Sequence, residues 1–109
     1  MTKFVFKKND GIYNGFYCMG HAGFAKKGKP DILCSAISVL TINTVNYIEE
    51  IVKDPIRLES NEETGFIKLD FNGEPKKESL LMLDSLVFGL QNLAAEYGDK
   101  YLSVEFEEV

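Results

Sequence analysis

The spacing of apolar residues changes repeatedly along this chain, and these changes restrict its fold more than any other feature. Polar and apolar residues alternate in 3–7, and a second segment, 12–19, has Phe and Tyr among its residues. Both segments suit strands, and the Asn-Asp-Gly sequence at 9–11 predicts a turn between them. From residue 31 to about residue 53, apolar residues recur every three or four positions, which predicts a helix with Asp31 as its N-cap.

The second half of the chain repeats this succession of patterns. Segments 56–60 and 66–71 have the composition of strands, 76–97 has an apolar stripe with helical spacing, and 101–106 is expected to form a last strand. The order β-β-α-β-β-α-β predicts an α+β fold with two layers, in which two helices cover one face of a five-stranded antiparallel or mixed sheet. With 109 residues and no linker or repeat, the chain is expected to be a single domain over 1–109.

Composition excludes several classes of protein. A membrane span needs about 20 apolar residues, and no uninterrupted apolar run in the sequence approaches this length. The first residues also lack the apolar segment of a signal peptide. We therefore expect a cytoplasmic protein without membrane contact. The net charge of −5 argues against direct nucleic-acid binding, although residues 1–33 carry six lysines and only two aspartates.

The small number of cysteine and histidine residues restricts the chemistry. Cys18 and Cys34 are expected to be free thiols in a reducing cytosol. With one histidine in the chain and no CxxC pair, a structural zinc site has too few ligands, so we expect no metal and no cofactor.

Residues 20–30 lack any regular spacing and contain three glycines, three lysines and a proline. This composition predicts a mobile loop, and loops of this length in small domains are often functional. The lysines form either a solvated surface or a lid that closes on a bound segment. The residues of this predicted substrate loop are Ala22, Gly23, Phe24, Lys26, Lys27, Gly28 and Lys29.

One pair of side chains, an imidazole and a thiol, has the chemistry of a catalytic site. His21 follows the second predicted strand, and Cys34 is expected in the first turn of the first helix. The positive end of a helix favours thiolate over thiol, and a nearby imidazole accepts the thiol proton and later protonates the leaving group. A lone histidine and a lone cysteine also occur together by chance, and a free cysteine is often a small apolar core residue. The spacing alone leaves both interpretations open.

Three nearby residues have two interpretations each. Asp31 either only caps the helix or also orients His21, as the acid of a catalytic triad does. Ser38, one helical turn after Cys34, either donates a hydrogen bond into the site or bonds to the carbonyl four residues before it. Cys18, inside a predicted strand, is expected to pack in the core rather than to act as a redox partner.

The segments Gly20-His21-Ala22 and 31–38, with Asp31, Cys34 and Ser38, resemble the signature of the ribosomal-processing cysteine protease family, Prp. The resemblance extends over the whole chain. It implies a homodimeric cysteine endopeptidase that removes the N-terminal extension of the precursor of large-subunit ribosomal protein number twenty-seven.

The resemblance also assigns roles to residues of this chain. Cys34 is the nucleophile and His21 the base, and Gly20, Asp31 and Ser38 occupy the other signature positions. It further implies a flexible loop over the active site and an apolar groove beside Cys34 for an extended peptide. We hypothesise that a bound peptide orders residues 22–30 and so sets the distance between His21 and Cys34. A non-enzymatic, ribosome-associated interaction module and a redox sensor based on Cys34 are the alternative functions.

Overall fold

The computed structural model describes residues 1–23 and 31–109 and has the predicted order of elements. These are β1 (Thr2–Asn9), β2 (Ile12–Met19), α1 (Ile32–Asn46) with a π-helical extension (Tyr47–Val52), β3 (Ile56–Asn61), β4 (Phe66–Phe71), α2 (Lys77–Tyr97) and β5 (Leu102–Glu108). The α+β class and the two-layer arrangement predicted from the sequence are confirmed.

The five strands form one sheet in the order β3-β4-β2-β1-β5. Three of the four strand pairs are antiparallel, whereas β1 and β5 are parallel, so the sheet is mixed. The parallel pair arises because β5 returns to the edge of β1 after α2, which crosses over the sheet. This topology makes β3 and β5 the edge strands, and it places the end of β2 beside the β3–β4 turn.

The two faces of the sheet differ in chemistry. Phe4, Phe6 and Phe16 lie on the face that the helices cover, and all three are fully buried. Leu33 from α1 and Leu83 from α2 pack into the same cluster. The opposite face carries charged side chains, including an ion pair of 3.3 Å between Nζ of Lys3 and Oε2 of Glu105. Burial of the apolar face stabilises the two-layer fold.

The apolar stripe of α1 packs against the sheet as its spacing predicts. Ile37, Thr41, Val45 and Ile48 are buried, and the hydroxyl of Thr41 donates to the carbonyl of Ile37 at 2.7 Å. By length and composition alone, the helical segment Ile32–Val52 is apolar enough to cross a membrane. The core helix of a soluble protein passes the same test, and here the buried stripe packs on the sheet while Val39, Ile42 and Ile51 are exposed.

Candidate active site

A groove of about 450 Å³ lies between α1 and the ends of β2, β3 and β4. Cys34 and His21 both line it, which is the arrangement that a shared reaction requires. Six apolar side chains form much of the remaining wall: Ile37, Ile42, Val45, Leu58, Phe66 and Ile67. The groove is therefore largely apolar, with the thiol and the imidazole among its polar groups.

Cys34 is held at the start of α1 by Asp31. The backbone N–H of Cys34 donates to Oδ1 of Asp31 at 2.8 Å, which is the N-cap interaction expected from the sequence. The N–H of Ser35 donates to the backbone carbonyl of Asp31 at 3.0 Å. These two amides of the first turn are thus used by Asp31, and they are not directed at a substrate oxyanion.

His21 lies at the end of β2 and is held by the β3–β4 turn. Its Nε2 atom is 3.0 Å from the backbone carbonyl oxygen of Glu63. The preceding residue, Gly20, donates its N–H to the carbonyl of Thr64 at 2.9 Å. The hydroxyl of Thr2 in turn donates to the carbonyl of Gly20 at 3.4 Å. The imidazole is exposed, yet the chain around it is bonded to two other elements.

The remaining signature and loop residues lie in different surroundings. Ser38 is exposed and lines the groove one turn after Cys34. Ala22 is only 2% exposed and packs in the core cluster, while Gly23 is exposed. The other predicted loop residues, Phe24, Lys26, Lys27, Gly28 and Lys29, lie outside the described residues.

Cys18 is buried in β2, as the sequence predicts, although its side chain also borders the groove. It is 4% exposed, and its Sγ lies 3.9 Å from the carbonyl oxygen of Gly65. Burial raises the pKa of the Cys18 thiol to about 11, because the apolar surroundings disfavour the thiolate. This environment suits a packing role and opposes nucleophilic chemistry at Cys18.

The contribution of the β3–β4 turn to this site is not predicted from the sequence. Asn61 and Gly65 line the groove, and Glu63 contacts His21 through its backbone. The turn itself is visible in the sequence as Asn61 followed by Gly65. Its contact with His21 depends on the pairing of β2 with β4, for which no local pattern gives a signal.

Comparison with known proteins identifies the family. The family model described as cysteine protease Prp matches residues 1–102. No curated protein sequence matches the chain significantly. Among solved structures, the chain is similar to the essential ribosomal processing protease Prp from S. aureus in complex with a covalently linked product peptide. The TM-score is 0.89 and the identity 21%, over 98% of this chain and 100% of that chain.

Two other solved structures have the same fold. A structure of the S. aureus protease with a substrate peptide has a TM-score of 0.85 and 20% identity, covering 98% of this chain and all of that one. A protein from Streptococcus mutans has a TM-score of 0.85 and 24% identity, covering 100% and 96% of the two chains. At these identities the structures establish the fold, and the family model covers most of the sequence. The chain therefore belongs to the cysteine protease Prp family and is a cysteine peptidase.

Proposed function

We propose that this peptidase removes the N-terminal extension of the precursor of large-subunit ribosomal protein number twenty-seven, with Cys34 as nucleophile and His21 as base. The observation that carries the proposal is that both side chains line one groove, although they belong to different elements. A thiol at a helix N-terminus and an imidazole facing the same space are the groups that acyl transfer from a peptide requires.

The proposed reaction has two stages. His21 accepts the proton of Cys34, and the sulfur attacks the carbonyl carbon of the scissile bond. The tetrahedral intermediate then expels the amine, which takes a proton from the imidazolium, and a thioester remains on Cys34. In the second stage His21 accepts a proton from water, and the hydroxide adds to the thioester carbonyl. The C–S bond then breaks, the imidazolium returns its proton to the sulfur of Cys34, and the released acid loses its proton to solvent as the carboxylate.

Asp31 and Ser38 have supporting roles in this proposal. The cap that Asp31 provides fixes the backbone of Cys34 and therefore the start of its side chain. Ser38 lies on the groove one turn further along α1, where its hydroxyl is available to a bound peptide. Gly20 brings the chain that precedes His21 against Thr64.

The groove suits an extended peptide with apolar side chains. Leu58 of β3 and Ile67 of β4 face the groove, opposite Ile42 of α1. Strand β3 lies at an edge of the sheet, so its outer backbone groups are available for strand-like pairing with a substrate. The S. aureus protease has been solved with substrate and product peptides, which supports a peptide substrate for this relative.

The test is incubation of the protein with the precursor ribosomal protein from the same genome, followed by mass analysis of the products. We expect one cleavage that releases the N-terminal extension. Cys34→Ala and His21→Ala should abolish this cleavage, because each removes one of the two reacting groups. Ser35→Ala, an exposed neighbour of Cys34, is the matched control and should cleave at the wild-type rate.

The same experiment separates the alternatives. If the chain were a non-enzymatic interaction module, the precursor would bind without change of mass, and Cys34→Ala would bind equally well. An intact precursor with the wild-type protein, or undiminished cleavage by Cys34→Ala, contradicts the proposed function. A redox sensor would leave the precursor intact. Its oxidation would instead depend on Cys34 and would be lost when Cys34 is replaced, whether or not the precursor is present.

We also propose that the protein is a cytoplasmic homodimer that makes no direct contact with nucleic acid or membrane. Both helices expose large apolar side chains, among them Ile32 and Val39 on α1 and Phe88 on α2, and such surfaces are typical of protein interfaces. Sedimentation equilibrium should give twice the chain mass of 12.3 kDa. A mass of 12.3 kDa over the micromolar range would contradict the dimer.

A further inference from the structure

The β3–β4 turn contacts the segment that carries His21 at consecutive positions. The carbonyl of Thr64 accepts the N–H of Gly20 at 2.9 Å, and the carbonyl of Glu63 lies 3.0 Å from Nε2 of His21. One of these bonds holds the backbone before the imidazole and the other holds the ring itself. Together they restrict both the position and the orientation of the ring.

The turn is itself held by hydrogen bonds that include a side chain. Oδ1 of Asn61 accepts the N–H of Glu63 at 3.0 Å, and the N–H of Gly65 donates to the carbonyl of Glu62 at 3.3 Å. The hydroxyl of Thr64 donates to the carbonyl of Asn61 at 3.4 Å. These bonds hold the peptide units that precede and follow the one carrying the Glu63 carbonyl, and they therefore restrict the direction of that carbonyl.

Close contact between the turn and His21 requires glycine at position 65. A Cβ atom on Gly65 would lie 2.4 Å from the carbonyl oxygen of Gly20 and 3.3 Å from Cε1 of His21. Gly65 also has a φ of +67°, which residues with a side chain rarely adopt. Any larger residue would push the turn and the imidazole apart.

The hydrogen bond to the carbonyl of Glu63 determines which ring nitrogen of His21 carries the hydrogen. A carbonyl oxygen only accepts, so Nε2 of His21 must carry the hydrogen. A neutral imidazole has one N–H and one lone pair, which leaves the lone pair on Nδ1. We propose that residues 61–65 are a positioning element that holds His21 in the Nε2–H tautomer through the carbonyl of Glu63, so that Nδ1 is the nitrogen that accepts the proton of Cys34. This inference rests on the proposed role of His21 as the base.

The backbone carbonyl of Glu63 orients the imidazole and fixes its tautomer, as a carboxylate does in a catalytic triad. The difference matters because a neutral carbonyl fixes the tautomer without placing a full negative charge beside the imidazolium. Asp31, the other candidate for orienting the ring, accepts the N–H of Cys34 with Oδ1 and so contacts the backbone of the nucleophile.

The first test needs no variant. ¹⁵N NMR of the imidazole is recorded at alkaline pH, where the ring is neutral, and His21 is the only histidine, so no assignment is required. We expect the protonated nitrogen to be Nε2. A ring protonated mainly at Nδ1, or a rapid average of the two tautomers, overturns the inference.

The second test uses the side chain that holds the turn. Asn61→Ala removes the acceptor for the N–H of Glu63, and Asn61→Asp keeps an oxygen at that place. We expect Asn61→Ala to lower kcat on the order of 10- to 100-fold, since small displacements of a catalytic group have effects of this size. Asn61→Asp should recover most of the loss. Because Asn61 also lines the groove, a change confined to KM in both variants would show a substrate contact and contradict the positioning role.

The third test separates crowding at His21 from backbone strain. Gly65→Ala should lower kcat at least as much as Asn61→Ala and should mix the two tautomers in the NMR spectrum. Gly11→Ala is the matched control, because Gly11 has a φ of +80° but no described residue has an atom within 4 Å of an added Cβ. Equal activity of these two variants and the wild type overturns the inference.

The outcomes for the inference and for the proposed function are distinguishable. If His21→Ala retains cleavage, the proposed base is wrong whatever the tautomer. If His21→Ala abolishes cleavage but the ring carries its proton on Nδ1, the proposed dyad stands and the positioning role of residues 61–65 is wrong.

Discussion

At the scale of single residues, the two cysteines differ in burial, although both border the groove. Cys18 packs among aromatic residues of the sheet, with Phe4 opposite it on β1 and Phe16 near it on β2. Cys34 is half-buried on the wall of the groove. Reaction with an alkylating agent requires access and the thiolate form, so the two thiols should differ strongly in reactivity.

We expect iodoacetamide at about pH 8 to modify Cys34 and to leave Cys18 unmodified in the folded protein. With a pKa of about 11, only about one in a thousand Cys18 thiols is ionised at that pH, and the side chain is also buried. Peptide mass analysis after a time course measures both rates. In guanidinium chloride both cysteines should react. Comparable rates at Cys18 and Cys34 in the folded protein would contradict the burial described above.

At the scale of elements, the start of α2 is stabilised from outside the helix. Within the described part of the chain, its N-cap residue, Lys76, makes no side-chain capping bond, and Asp54 from the segment after α1 binds the start of the helix instead. Oδ2 of Asp54 accepts the N–H of Lys76 at 2.9 Å and the hydroxyl of Ser79 at 2.5 Å. Because Asp54 is buried and negative at a helix N-terminus, it joins the end of one helix to the beginning of the other.

Asp54→Ala should lower the free energy of unfolding by about 2–3 kcal/mol, since it leaves two donors without their acceptor. Denaturation in urea, followed by circular dichroism, measures the change. Asp99→Ala, at an exposed position after α2, is the control and should change the free energy by less than about 0.5 kcal/mol. A similar small effect for Asp54→Ala would show that the two hydrogen bonds of Asp54 contribute little to the free energy of unfolding.

The sequence of the first helix predicts its buried face but not the type of helix at its end. The spacing in α1 predicts the buried face correctly, including Ile37, Val45 and Ile48. The change to π-helical turns over Tyr47–Val52 was not predicted, because periodicity over six residues does not distinguish the two helix types. The helix ends where Lys53 adopts a φ of +61°, two residues before Pro55.

At the scale of the whole molecule, the sheet has one apolar face and one charged face, and an ion pair crosses three strands of the charged face. Lys7 of β1 and Asp70 of β4 both lie opposite Gly15 of β2. Gly15 has no side chain, so the ammonium of Lys7 reaches the carboxylate of Asp70 across it and donates a hydrogen bond. Lys68 adds a second contact with Asp70 at 3.6 Å.

Because of this ion pair, the free energy of unfolding depends on pH in the acid range. Burial by itself raises the pKa of Asp70, but the hydrogen bond and charge of Lys7, with the charge of Lys68, hold it below its ordinary value. The carboxylate therefore stabilises the folded state at any pH above about 4. This contribution is lost as the pH falls through the pKa of Asp70 in the folded protein.

Asp70→Asn should lower the free energy of unfolding by about 1–2 kcal/mol at neutral pH, because it removes a charge-assisted hydrogen bond. The difference from wild type should shrink as the pH is lowered towards about 3. Urea denaturation at several pH values measures both effects, and Asp10→Asn in the exposed β1–β2 turn is the control. A difference that stays constant from neutral to acid pH would contradict the role assigned to the Asp70 charge.

Local patterns in the sequence predict the element order, the buried faces of the helices and strands, and the helix cap at Asp31. These follow from local spacing and from residues a few positions apart, which physical rules relate directly to backbone conformation. The sequence also carries the family signature around His21 and Cys34. Three further contacts are seen only in the folded structure: β5 pairs in parallel with β1, Asp54 binds the start of α2, and Glu63 contacts His21. Each of these contacts joins residues far apart in the chain, and such pairing depends on how the whole sheet and its helices pack, which no short segment encodes.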